Sequence, residues 1–232
     1  MVIRQQGRVH QPLPVIMDIL YSDPAMIILN KPAYLSVLPD GWEPKSTYLA
    51  RTLKSEYGRV WVVHRLDKTT SGVMVFARTA EAHRALNMQF DRHEAVKIYH
   101  AVIVGIPPWD EYTAHHPLRA DAGHKHRTVV DPMRGKPATT YFRMLERYTG
   151  YSLVEAAPET GRTHQIRAHL VALGYPILGD GLYGAPLTNL IARPALHAYS
   201  LKFSHPVSGE SVAFNAPYPA DFASVLEELE QI

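Results

Sequence analysis

Two polar constellations carry side chains able to do acid, base or nucleophilic chemistry. The first, VVHRLDKTTSGV from Val62 to Val73, sets Asp67 in a polar turn between two apolar stretches. A carboxylate there either closes the turn by accepting from the amides of Thr69 or Thr70, or acts as base or nucleophile on a loop held by strands. The second, TGRTHQIR from Thr160 to Arg167, is a loop entering a helix whose Ile166, Leu170 and Leu173 can face a core. Arg167 falls at the edge of that apolar face, where it either snorkels to water or makes a buried ion pair; spacing does not decide between them.

Other patterns point to less. GDGLYG at Gly179 to Gly184 matches the G-x-G-x-x-G expression, but Pro186 follows at once and no acidic residue stands about 20 positions on. These glycines are expected to shape a tight loop. Thirteen histidines raise the question of a metal, and His115, His116, His124 and His126 crowd one segment. No H-E-x-x-H pattern accompanies them, and His164 and His169, five apart, fall on different faces of a helix, so no metal site is expected.

The elements that must hold these groups follow from hydrophobic patterning. Strands are predicted at Met26 to Leu29, Trp61 to Val63, Val73 to Ala77, Ile98 to Val104, Thr139 to Leu145, Tyr151 to Ala156, Leu196 to Phe203 and Ser211 to Phe214. Helices are predicted at Tyr48 to Tyr57, at Ala80 to Phe90 behind an N-cap at Thr79, at His164 to Leu173 before Gly174, and in the tail around Phe222, Val225, Leu226 and Leu229. Strands in succession with occasional helices predict an α+β domain on a largely antiparallel or mixed sheet. No Ser/Gly linker divides the chain. Pro107 and Pro108 mark a break, and the basic stretch beyond them reads as an irregular, flexible insertion.

The 232 residues are 46% hydrophobic and 20% charged, enough for one large domain. No apolar run is long enough for a membrane span, the N-terminus lacks a signal-peptide core, and zero cysteines exclude disulfides and a thiolate nucleophile; a cytoplasmic protein is expected. The net charge of +2 hides an asymmetry. From Tyr218 the tail holds Asp221, Glu227, Glu228 and Glu230 and no Lys or Arg, while Arg119, Lys125, Arg127, Arg134, Lys136, Arg143 and Arg147 cluster between Tyr112 and Arg147. That cluster is either a polyanion face or a solvated loop.

HRLDKTTSG at His64 to Gly72, KIYHAVIVG at Lys97 to Gly105, TGRTHQIRAHLVALGYPILGDGLYG at Thr160 to Gly184 and LHAYSLKFSHP at Leu196 to Pro206 together resemble the RluA family of RNA pseudouridine synthases. The resemblance implies a single α+β catalytic domain around a basic cleft, residues 19–232 behind an extension of residues 1–18. It implies isomerisation of uridine in rRNA or tRNA, without metal, nucleotide cofactor or redox step. Asp67 would be the essential carboxylate, attacking C1′ or taking a proton from C2′; Arg167 would pair with it, and Tyr99, the third catalytic residue, would lie against the target base, its ring for stacking and its hydroxyl as a proton acceptor in the late step. Arg65 would fill the place of the flipped uridine, Lys31, Lys125 and Arg127 would hold phosphates, and His64, Arg162 and His164 would contact RNA at the pocket.

Two departures bear on that transfer. Lys31-Pro32 is followed by Ala33-Tyr34 where the family has a small residue and glycine, and too few residues precede Met26 for the S4 RNA-binding domain of larger members. The expected partner is therefore a compact RNA stem-loop, with no obligate protein partner and a monomeric chain. The rival from another class is an RNA-binding protein or RNA chaperone on the same fold without turnover; a histidine-metal hydrolase comes third.

Overall fold

The computed structural model describes residues 17–39, 47–122 and 127–231. In chain order its elements are β1 (Asp18–Ser22), β2 (Met26–Lys31), α1 (Leu49–Tyr57), β3 (Trp61–Val62), β4 (Ser71–Ala77), α2 (Ala80–Asp91), β5 (Val96–Val104), β6 (Glu111–Ala114), β7 (Leu118–Ala122), β8 (Arg127–Val130), β9 (Thr140–Tyr148), β10 (Tyr151–Pro158), α3 (Gln165–Ala172), β11 (Leu196–Ser204), β12 (Ser211–Asn215) and α4 (Ala220–Leu229). One 10-stranded sheet runs β1-β2-β4-β11-β5-β10-β9-β6, with β12 on β11 and β3 on β4. Its pairs are antiparallel except β4 with β11, which gives the mixed sheet expected of an α+β domain.

Every residue of β4 is buried, so its apolar run SGVMVFA is that of a central strand covered on both faces. The sheet carries two cores. One gathers Met26, Leu49, Leu53, Met74, Phe76 and Leu86 under α1 and α2; the other gathers Val102, Phe142, Val154, Leu170, Phe222 and Val225 under α3 and α4. Tyr99 packs against both, at the seam. Thr79 caps α2 as expected, its hydroxyl accepting from the Ala82 amide at 3.1 Å. The acidic tail packs on its own domain: Phe222, Val225 and Leu229 are its buried face. No described helix is long and apolar enough to cross a membrane.

The parallel contact depends on Gly72. Its φ is +123°, and a Cβ there would lie 2.2 Å from the carbonyl oxygen of Ala198 on β11. Gly72→Ala is therefore expected to destabilise the fold by about 3 kcal/mol or more, read as a lower midpoint in urea unfolding.

The basic stretch after Pro108 differs from its expected irregularity. It holds β6, which extends the main sheet through β9, and a separate ribbon of β7 and β8. The signal was missed because β7 buries only its ends, Leu118 and Ala122, and exposes Arg119, Ala120 and Asp121 between them, so no apolar alternation marks it. The turn that follows β8 is stapled by Asp131, whose carboxylate accepts from the amides of Met133 and Arg134 and from the Arg119 guanidinium of β7.

Candidate active site

Asp67 projects from the loop between β3 and β4. The turn is closed by its backbone carbonyl, which accepts from the Thr70 amide at 3.0 Å, so the carboxylate is free of that duty. Two buried cations hold the next carbonyls from beneath. Lys31, at the end of β2, donates to Lys68 O at 3.3 Å, Pro32 O at 2.7 Å and Leu35 O at 2.9 Å. Arg193 donates to Thr69 O at 3.2 Å and is itself held by Asp221 of α4 at 2.6 and 2.9 Å. The tail helix thus braces the loop that carries Asp67.

This overturns the expectation for Lys31 as a phosphate ligand. It is 0% exposed, and its three carbonyl acceptors match the three N–H bonds of an ammonium, leaving none for RNA. Burial, with the Arg193 charge behind it, pushes its pKa down to about 7, against the pull of Asp67.

Opposite the loop stands α3. Gln165 anchors its entrance: the side-chain oxygen accepts from Thr160 Oγ1 and the Arg162 amide, and the side-chain nitrogen donates to Thr139 O and Thr140 Oγ1. Every residue from Gln165 to Leu170 is buried, which settles the Arg167 alternatives in favour of a buried pair. Nε and Nη2 form a fork with Asp180 at 2.7 and 2.8 Å, and Nη1 reaches Asp67 Oδ2 at 3.5 Å. Burial works against the Arg167 charge, but the hydrogen bonds and charge of Asp180, then the charge of Asp67, more than offset it and raise its pKa. The Tyr183 ring lies under the guanidinium, 4.9 Å from ring centroid to Cζ.

His164, just before α3, has φ 52° and ψ 24°, a left-handed conformation that a side chain other than glycine rarely takes. Its Nε2 stands 3.6 Å from Asp67 Oδ2 and its Nδ1 lies 3.2 Å from the Tyr183 hydroxyl. Burial pulls its pKa below the usual histidine value, with Asp67 opposing. Tyr99 forms part of the wall on β5; burial, reinforced by the Asp67 charge, pushes its phenol well above the usual range.

Asp67, Tyr99, His164, Gln165 and Arg167 line one cleft of ≈ 990 Å³, with Arg65, Lys97 and Arg162 also on its wall. Arg65 is exposed there, and Arg162 is exposed with its Nε donating to Pro137 O at 3.2 Å. Arg127 is exposed at the start of β8, and Lys125 lies outside the described residues. His64 lines the cleft, part-exposed, and is also tied into the fold. Its Nε2 accepts from the Val75 amide at 3.2 Å, its ring stacks on Phe90 at 4.7 Å, and burial, then the Lys97 charge, hold its pKa at about 3. It is a neutral strut between the loop and β4.

Asp180, Tyr183, Gln165 and Lys97 were missed as site residues. A signal existed for Asp180: a buried arginine needs a carboxylate, and GDG offers one between glycines whose spacing predicts only a tight loop. Among the described residues no group of three or more His, Asp or Glu side chains is placed to hold a metal ion. His169 is spent on Thr140 Oγ1 and His116 O.

The sequence profile of RNA pseudouridylate synthases matches residues 25–172, a span that holds Asp67, Tyr99, His164 and Arg167. The chain belongs to that family. It is 41% identical, over 94% of its length, to the ribosomal large subunit pseudouridine synthase D of Neisseria meningitidis serogroup A, and spans 62% of that protein. It is 38% identical to the protein of the same name from Haemophilus ducreyi, covering 95% of this chain and 73% of the relative. Among solved structures, human RNA pseudouridylate synthase domain containing 4 superposes with a TM-score of 0.75 at 26% identity, over 92% of this chain and 93% of the other. Human RNA pseudouridylate synthase domain containing 1 gives 0.74 at 27%, over 93% and 87%.

Proposed function

We propose that the chain isomerises uridine to pseudouridine in RNA, with large-subunit rRNA as the first substrate to try, because the bacterial relatives carry that substrate in their names. One observation carries the reading: a carboxylate open to a cleft with Arg65, Lys97 and Arg162 on its wall, met end-on by an arginine whose other edge is locked by a second carboxylate. Arg167 offsets the cost of holding Asp67 ionised as a base enters and expels water, and its fork to Asp180 keeps it from swinging away.

Asp67 then breaks the N1–C1′ bond, either by attacking C1′ or by removing the C2′ proton, and the detached uracil rotates and rejoins through C5. The target nucleotide must leave its stack, at roughly a few kcal/mol; Tyr99 offers its ring to the flipped base, and exposed Arg65 fills the vacated place. Arg162 stands at the rim for phosphate, and a compact stem-loop suits the adjoining basic ribbon.

Arg127 on that ribbon is assigned to phosphate. Arg127→Ala is expected to weaken RNA binding and lower the slope of log affinity against log salt by about 1, with the rate on saturating RNA unchanged. Filter binding at several salt concentrations, beside single-turnover kinetics, reads both.

The function itself is tested by tritium release from RNA labelled at uridine C5, offered separately as protein-free rRNA and bulk tRNA. Rejoining through C5 expels that hydrogen. Release is expected from at least one RNA; binding of both without release would favour an RNA-binding protein lacking turnover.

A further inference from the structure

Among the described residues, the lysines and arginines that the fold shields from water have their partners, with one exception. Lys31 gives its three hydrogens to carbonyls, Arg78 donates to Asp23 O, Arg193 is held by Asp221, and Arg167 lies between Asp180 and Asp67. Lys97, half-buried on β5, has none: among the described residues no oxygen stands within hydrogen-bond or ion-pair reach of its ammonium. Its Nζ is not sealed in the interior, and the residue lines the cleft beside Tyr99. A packed stem thus presents an uncompensated charge to the space where substrate must enter.

We propose that Lys97 is a catalytic residue: its ammonium donates to a carbonyl oxygen of the target uracil and stabilises the negative charge that the base takes up as the N1–C1′ bond breaks. The inference rests on the isomerase reading and deepens it.

Electron counting shows where that charge arises. If Asp67 attacks C1′, a bond forms from its oxygen to C1′; if it removes the C2′ proton, the C2′–H pair becomes a C1′=C2′ bond. In both cases the N1–C1′ pair leaves with the base. Uracil is then an anion whose charge is shared by N1, O2 and O4. Lys97 keeps its proton throughout and holds that charge through a charge-assisted hydrogen bond, so the step needs no co-reactant. The charge vanishes when C5 bonds to C1′. The contact is therefore stronger at the broken-bond stage than with bound uridine, which is the condition for it to speed the reaction.

Position agrees with this role. Lys97 and Tyr99 are two apart on one strand, so their side chains leave the same face about 7 Å apart. A uracil lying on the Tyr99 ring can turn an oxygen toward Lys97. The other cationic groups of the wall are placed for different work. Arg65, Lys68 and Arg162 are exposed, Arg167 aims its donors at Asp180 and Asp67, and burial disfavours the charged form of His164. Burial also lowers the pKa of Lys97, and its charge is felt at the neighbouring His64. An incoming anion relieves that cost.

The test is Lys97→Met, which keeps the length of the stem and deletes the charge. RNA tritiated at uridine C5 is converted in single turnovers under saturating enzyme. The expected result is a fall in rate of roughly 10²- to 10³-fold, with RNA affinity within about twofold and the slope of log affinity against log salt unchanged. The Tm is expected to hold or rise, because an unpaired, half-buried charge has gone, whereas losing a lysine that served the fold would lower it. Lys97→Arg restores a charge in a bulkier head and is expected to recover part of the rate. A wild-type saturating rate in Lys97→Met overturns the assignment; weaker binding with a shallower salt slope beside that rate makes Lys97 a phosphate contact. A slower rate with a lower Tm and no recovery in Lys97→Arg also overturns it, and makes the lysine part of the fold. No tritium release by the wild type would instead sink the isomerase reading itself.

Discussion

Asp67→Asn is expected to bind RNA as the wild type does and to convert none of it at a measurable rate, a loss of at least about 10³-fold in single turnovers. Asparagine keeps the shape and an oxygen for Arg167 Nη1, but it is neither nucleophile nor base. The substitution costs little stability, because the carboxylate is 31% exposed and Arg167 keeps its fork to Asp180. Unchanged affinity therefore separates chemistry from folding and binding. A variant that turned over at even a tenth of the wild-type rate would remove Asp67 from the reaction.

Asp180→Ala is expected to act in the opposite way, on stability first. Arg167 and Asp180 have side chains 6% and 1% exposed, so deleting the carboxylate strands a buried guanidinium with two donors unpaired. Breaking such a pair costs about 3–5 kcal/mol, a fall in Tm of roughly 10 °C for a chain of this size. Activity should also fall at temperatures where the variant is still folded, since Arg167 loses the fork that aims Nη1 at Asp67. The double variant Arg167→Met with Asp180→Leu discriminates the two effects. Apolar replacement of both partners should recover much of the stability, as seen by calorimetry, while leaving turnover lost. Restored activity in that variant would mean that the pair serves the fold alone.

Legibility in the sequence followed how directly each residue's environment is written in its neighbours. The buried run of β4 and the Thr79 cap of α2 are local signals, and both were readable. The ribbon of β7 and β8 was not, because β7 exposes its middle, β8 is only four residues long, and both are made by pairing with each other and by the Asp131 turn. Asp67, Tyr99 and Arg167 were legible through the motifs that carry the family resemblance, and the structure brings them to one cleft. Lys31 was misplaced because a lysine next to a proline reads as a surface cation; only the fold reveals the three carbonyls that enclose it. Asp180 was hidden by its glycine neighbours and is 13 residues from the arginine it locks. Likewise Arg193 and Asp221 join the loop of Asp67 to α4 across separations that periodicity does not report.

The most direct measurement of the central claim is the chemical identity of the product. RNA incubated with the wild-type chain, digested to nucleosides and resolved by chromatography and mass spectrometry, should yield a new nucleoside of the same mass as uridine. Its base should resist loss on fragmentation, because a carbon–carbon bond has replaced the N1–C1′ bond. Uridine recovered unchanged from every RNA that the protein binds tightly would contradict the account.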